Sequence, residues 1–216
     1  MNNNISFNKL HDKRREFLRS NRPYDHKIIE GTSSTLISVP HGVSQVRLGK
    51  LKSNELGSLA TALFLKDNTD CFLIAKTRNN NDDANFDDIS EYKESLKKLI
   101  INKNLKYIID FHSLASKREC DINLGINFGK NIEYNVQLFD LLCSLLKNNN
   151  FKISIDEPFM GGPNTISGTM KDVFDDIFTL QIEINGRITN NIENVEKYAK
   201  LLYVLLDWIK TIPNKK

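Results

Sequence analysis

The stretch Lys106-Tyr107-Ile108-Ile109-Asp110-Phe111-His112-Ser113 reads as a buried strand that ends in reactive side chains. Its apolar run predicts a strand over residues 107–111, with His112 and Ser113 at the exit. Enzymes built on parallel sheets place their working groups at such exits. Alternation along a strand puts Ile108, Asp110 and His112 on one face. A carboxylate two residues before a histidine can fix the ring's tautomer and raise its basicity. A buried histidine merely satisfied by Asp110 is the alternative reading. His41 closes a second apolar run, Leu36-Ile37-Ser38-Val39-Pro40-His41-Gly42. Proline stops that strand and glycine lets the chain turn beside the histidine, although an exposed turn histidine would look alike. The chain has four histidines, and two at equivalent strand ends suggest a metal site.

Outward from these strands the pattern alternates. Helices are predicted over residues 7–20, 53–66 (with Ser53 as N-cap), 90–102, 131–147 and 193–209. Strands are predicted over 27–30, 35–39, 71–75, 151–155 and 178–184. The first two strands are joined by the turn Gly31-Thr32-Ser33-Ser34. Such alternation argues for an α/β fold with a mostly parallel sheet covered on both faces. The 216 residues suit a single domain spanning 1–216, with 1–30 a peripheral segment carrying His11 and His26 on the surface.

Composition excludes several classes. Thirty basic against 27 acidic residues leave a net charge of +3, which is no footprint for nucleic acid. The start lacks the apolar core of a signal peptide, and the longest apolar stretch, 201–206, is too short to span a bilayer. Cys71, Cys120 and Cys143 are odd in number and form no CxxC pair, a pattern that suits a reducing compartment. Cys71 and Cys143 read as core residues; Cys120 could lie near the site but is not expected to be a nucleophile. A cytoplasmic protein with no membrane or nucleic-acid partner is expected.

Three further stretches can carry chemistry. Phe178-Thr179-Leu180-Gln181-Ile182-Glu183-Ile184-Asn185 alternates strictly, so Gln181, Glu183 and Asn185 share a face. On a half-solvated edge strand that line is unremarkable; in a sheet buried on both faces it must border a cavity. The loop Asn79-Asn80-Asn81-Asp82-Asp83-Ala84-Asn85 is either a solvated turn or the source of a carboxylate. Pro158-Phe159-Met160-Gly161-Gly162-Pro163-Asn164-Thr165 is either an ordinary connection or a substrate-binding loop. It is not a phosphate cradle, because no GxxxxGK[ST] pattern is present. Two histidines, a carboxylate and a separate glutamate at one end of a sheet are what zinc hydrolysis needs.

In this order, Ser38-Val39-Pro40-His41-Gly42, Asp83-Ala84-Asn85, Asp110-Phe111-His112-Ser113, Pro158-Phe159-Met160-Gly161-Gly162 and Gln181-Ile182-Glu183-Ile184-Asn185 resemble the motifs of N-formylglutamate amidohydrolase-like proteins. The resemblance spans roughly residues 34–190 and implies a three-layer α/β/α fold with a mostly parallel mixed sheet, like that of the zinc carboxypeptidases. It implies one Zn2+ ion, with His41 and His112 as ligands and Glu183 as general base. The third ligand should be a carboxylate between the histidines, with Glu55 the first choice and Asp83 the second. The His-x-x-Glu spacing of the carboxypeptidases is absent, since Ser44 stands three residues after His41. Arg187 is placed with Glu183 among the catalytic residues. Asp83, Asn85, Asp110, Ser113, Gly161, Gly162 and Asn185 are expected in support or substrate contact. Family members acting on formylglutamate commonly carry arginine directly after the Asp-x-Asn segment; here Phe86 follows Asn85. A cation for an acidic substrate would then come from Arg78, Arg118 or Arg187. The implied activity is hydrolysis of a C–N amide bond in a small N-acyl amino acid or peptide. A carboxypeptidase-like exopeptidase and a non-catalytic binding protein are the alternatives. Ser113 loses the role of nucleophile, because no Gly-x-Ser-x-Gly elbow surrounds it.

Overall fold

The sheet is assembled around the strand Tyr107–Leu114, whose neighbours on both sides run parallel to it. The computed structural model describes residues 7–19, 24–190 and 192–213. In chain order the strands are β1 (His26–Ile29), β2 (Thr35–Val39), β3 (Gln45–Arg47), β4 (Lys50–Lys52), β5 (Phe72–Lys76), β6 (Tyr107–Leu114), β7 (Ile122–Gly125), β8 (Ile153–Ile155) and β9 (Phe178–Asn185). The helices are α1 (Phe7–Leu18), α2 (Leu56–Asp67), α3 (Glu91–Lys103), α4 (Val136–Asn148), α5 (Ile166–Val173), α6 (Gly186–Thr189) and α7 (Val195–Lys210). Seven strands form one sheet in the order β1-β5-β2-β6-β9-β7-β8, and β3 and β4 form a separate two-stranded ribbon. Only the β1–β5 and β7–β9 pairs of the large sheet are antiparallel. It is the mostly parallel mixed sheet expected.

The two faces of β6 explain the three layers. Tyr107, Ile109 and Phe111 join a core with residues of α2, α4 and α7, including Leu59, Leu138 and Leu201. Ile108 faces the other way, into a second core with Tyr92 and Leu96 of α3 and Ile166 and Met170 of α5. Toward the carboxyl ends of β2, β6 and β9 this second face turns polar, through Ser38, Asp110, His112, Gln181 and Glu183. All five are buried. Tyr92, completely buried, anchors the transition: its hydroxyl donates to the Ile74 carbonyl at 2.9 Å and accepts from the Val39 amide at 3.0 Å. β9 is a central strand, and Gln181 and Glu183 of its polar line border a cavity rather than bulk solvent.

Several boundaries move. β6 runs to Leu114, so His112 lies within the strand, held by parallel pairing opposite Glu183. α2 begins at Leu56, and Glu55, not Ser53, occupies the N-cap; the Glu55 amide instead binds the His41 carbonyl at 2.9 Å. The helix expected over 131–147 starts at Val136, where the Asn135 side chain caps the Leu138 amide. Ser90 caps α3 as its sequence suggests, accepting from the Lys93 amide. The strands β1 and β2 do not pair with each other; β5 lies between them. The ribbon, β7 and α5 are too short to register as periodic segments.

The first thirty residues are less peripheral than expected. β1 forms a sheet edge, and Phe17 of α1 enters the core. His26 is only 4% exposed and bonds Asp25 at 2.6 Å. It is not a surface histidine, because Asp25, Lys76 and Asp82 form a buried ionic cluster beside it. The side chain of His11 lies outside the described residues. Cys71 and Cys143 are buried, as expected. No helix among the described residues is long and apolar enough to cross a membrane.

Candidate metal centre

β2 delivers His41 and β6 delivers His112 to one point. The rings meet edge to face with centroids 4.7 Å apart, and their Nδ1 atoms are 3.2 Å apart. The loop before α2 brings Glu55 between them. One carboxylate oxygen lies 2.8 Å from His41 Nδ1. The other lies 3.4 Å from His112 Nδ1 and accepts from the Ser113 amide at 2.8 Å. Ligand atoms of His41, Glu55 and His112 all lie within 4.8 Å of one another.

The far nitrogen of each ring is engaged in the same way. His41 Nε2 meets Asp83 Oδ1 at 2.8 Å, and His112 Nε2 meets Asp110 Oδ2 at 2.8 Å. Carboxylates in these positions keep the proton on Nε2 and turn the Nδ1 lone pair inward. Two inward lone pairs 3.2 Å apart repel unless a proton or a cation sits among them. Two imidazole nitrogens with one carboxylate, and room for a fourth group, form a donor set suited to zinc. The residues present thus fit a divalent ion.

Electrostatics agree with that fit. Burial disfavours protonated His41 and His112, but Glu55, Asp83 and Asp110 outweigh it. His41 is held above the usual histidine range and His112 well above it. Burial pushes Glu55 up, yet the two histidines bring its carboxyl down to about 2. Asp83 is likewise held below the usual range by His41 and Arg47. The carboxylates around the two rings thus favour positive charge at that point.

Glu183 behaves differently. It is 5% exposed, and burial, reinforced by Glu55, pushes its carboxyl up to about 7 despite the neighbouring histidines. Its side chain accepts from Gln181 Nε2 at 2.9 Å. It lines the same cleft as His41, Glu55 and His112.

The other expected residues separate into three groups. Asn85, Ser113, Arg118, Gly161 and Gly162 line the cleft. Asn85 also stitches the cleft loops together, accepting from the Ile166 amide at 2.7 Å. Gly161 has φ +64°, and a side chain on it would meet the Gly125 carbonyl oxygen at 2.9 Å, so glycine lets this loop lie against β7. Asp110 and Asp83 stand behind the histidines. Three residues are not brought to the cleft. The Arg187 guanidinium binds the Arg118 and Glu119 carbonyls and Asp121, which ties it to the 118–121 loop. Asn185 binds the Arg118 and Cys120 carbonyls. Arg78 is directed to Asn80.

The cations that do reach the cleft include two that sequence reasoning missed, Arg47 and Lys52 of the ribbon. Arg47 Nε donates to Asp83 Oδ2 at 2.8 Å, and its guanidinium lies 4.9 Å from the Phe86 ring centroid. Arg47 therefore covers the residue that stands where the resemblance leads one to expect arginine. The only available signal was Leu48-Gly49 between two short alternating runs. Both residues have positive φ, as a tight hairpin turn requires.

The fold defines a class: the three-layer architecture of the metallo-carboxypeptidases. Against a metallo-carboxypeptidase from Burkholderia cenocepacia the TM-score is 0.51 at 9% identity, covering 94% of this chain and 69% of that one. The fit is better to N-formylglutamate amidohydrolase from Ralstonia eutropha JMP134, with TM-score 0.65, 12% identity and coverage of 87% and 98%. Gene product Atu2144 from Agrobacterium tumefaciens gives TM-score 0.67 at 12% identity, covering 88% and 96%. Likeness at such identity establishes the fold. No protein-family model matches the chain, and no curated protein does either.

Proposed function

We propose that this chain is a zinc-dependent hydrolase that cleaves a C–N amide bond in a small N-acyl amino acid or peptide. The observation that carries the reading is the convergence of His41 Nδ1, His112 Nδ1 and the Glu55 carboxylate beside a buried glutamate outside that set. The amidohydrolase and metallo-carboxypeptidase named among the structural neighbours support it.

In this reading His41, Glu55 and His112 hold the ion. Bound there, zinc lowers the pKa of a water and polarises the substrate carbonyl. Asp83 and Asp110 keep both rings oriented and electron-rich. Glu183, its proton affinity raised towards neutrality, accepts the proton of the attacking water and returns it to the leaving nitrogen. Arg47 and Arg118 attract a substrate carboxylate. Pro158 and the loop that follows it form the opposite wall.

The presence of Arg47 and Arg118 in the cleft also favours a carboxypeptidase-like exopeptidase, which needs a cation for its substrate's terminal carboxylate. Comparing hydrolysis of N-acylated amino acids with that of dipeptides bearing a free carboxylate separates the two. The first test of both is metal analysis, which should find about one zinc per chain, lost in His112→Ala. Failure to bind zinc or a similar ion, or full binding by His112→Ala, sinks both readings.

A further inference from the structure

The cleft is large for a single amino acid. Its volume is about 860 Å³, at the upper end of the roughly 300–1,000 Å³ that accommodates a drug-sized ligand. It also does not end at Arg118 and Pro158. Both residues line a second cavity of about 880 Å³, so the two spaces meet there. The second cavity is bounded by Lys117, Cys120, Lys152 and Ser154. Ser154 pairs with Asn123 of β7, which pairs with Glu183 of β9, so alternation sets Ser154 on the same face of the sheet as Glu183. The two cavities form one groove across that face, from the metal centre to β8, the last strand of the sheet.

Charge differs along the groove. Apart from Glu55 and Glu183 at the centre, the charged groups lining the first cavity are cations: Arg47, Lys52 and Arg118. Gln45, 5% exposed, also lines that cavity. The second cavity balances Lys117, Arg118 and Lys152 with Glu119, Asp156 and Glu157.

We propose that the groove binds an acidic peptide of three or more residues. A carboxylate next to the scissile amide meets Arg47, Lys52 and Arg118, and the chain continues past Arg118 and Pro158 into the second cavity. The proposal rests on the hydrolase reading for its scissile bond, but chain-length recognition is measurable without catalysis.

The test uses zinc-loaded Glu183→Gln protein and N-acetylated α-linked glutamate oligomers of one, two and four residues. Calorimetry should show Kd tightening by roughly tenfold or more from one residue to four. Oligomers of serine of the same lengths should bind more weakly. Cys71 and Cys143 are buried whereas Cys120 is not, and Cys120 lines the second cavity. A bulky maleimide on Cys120 should therefore abolish the gain with length, and Lys152→Glu should reduce it independently. A four-residue probe binding within twofold of the one-residue probe, or a gain untouched by both changes, overturns the proposal. Metal-dependent hydrolysis with flat binding strikes the groove alone. Length-graded binding without hydrolysis by the wild-type protein strikes the hydrolase reading and leaves the groove standing.

Discussion

His41 and His112 face each other through Nδ1 at 3.2 Å, while each Nε2 is held at 2.8 Å by its own aspartate. The two rings are thus built as a matched pair. Each takes its orientation from behind, and each directs its free lone pair toward Glu55. Asp110 reaches His112 from two residues away on the same strand; Asp83 reaches His41 from a loop 42 residues on.

This symmetry predicts how metal binding responds to the aspartates. Asp110→Asn keeps shape but removes the charge that fixes the His112 tautomer, and zinc affinity should fall about 10–100-fold. Asp83→Asn should fall in the same range. Competition with a chelating dye measures both. An unchanged affinity in either variant removes that aspartate from the support of the site.

Glu183→Gln separates chemistry from binding. Glutamine keeps the size of the side chain but cannot take a proton, so kcat should drop about 10²–10⁴-fold, the contribution of a positioned general base. Zinc stoichiometry should stay at the wild-type value. A variant that loses its metal together with its activity would instead make Glu183 part of the ion's coordination.

The pH profile has a defined sign. Glu183 must be ionised to accept a proton, and burial raises its carboxyl to about 7. Activity should therefore fall as pH falls through the ionisation of Glu183. A bound cation nearby favours the ionised form, so the midpoint in the zinc-loaded enzyme should lie between the ordinary value of 4.5 and about 7. The acid limb of kcat/KM reads this midpoint, and it should be absent from the residual activity of Glu183→Gln.

The sheet and the central histidines were legible because strand periodicity survives in single sequences. Ile108, Asp110 and His112 share a face in β6 as their spacing requires, and Gln181 and Glu183 share one in β9. Glu55 ranks ahead of Asp83 as the third ligand in the sequence, but spacing alone does not fix how either meets the rings. Both approach His41, and only the turn after β2 decides which ring nitrogen each meets: Glu55 takes Nδ1 and Asp83 takes Nε2. Arg187 was misplaced because its guanidinium is held by the carbonyls of residues 118 and 119, long-range contacts without a local signature. Arg47 went unseen because β3 has only three residues.

The buried cluster behind the site yields a stability prediction. Lys76 is 1% exposed and lies 3.1 Å from Asp25, which is fully buried, and it also pairs with Asp82. Lys76→Met leaves the buried Asp25 with its His26 hydrogen bond but without its cation, so the cost should approach, from below, the roughly 3–5 kcal/mol of a broken buried pair. Urea unfolding should show the lower midpoint. Asp25→Asn in the Lys76→Met background should recover part of the loss, since the uncompensated charge is then gone.

Arg47 links the supporting shell to the substrate. Its Nε is committed to Asp83, which leaves the two terminal nitrogens of the guanidinium for a ligand in the cleft. Lysine carries its donors on one nitrogen and has no planar fork to reach Asp83 on one side and a ligand on the other. Arg47→Lys should therefore raise KM for an acidic substrate by roughly 10–100-fold, the loss of one hydrogen bond to a charged group, with a smaller effect on a neutral one. Arg47→Ala should add a loss of zinc affinity, because Asp83 then lacks its second partner. Equal KM changes for acidic and neutral substrates in Arg47→Lys would confine Arg47 to the support of Asp83 and leave Lys52 and Arg118 as the cations that recognise the carboxylate.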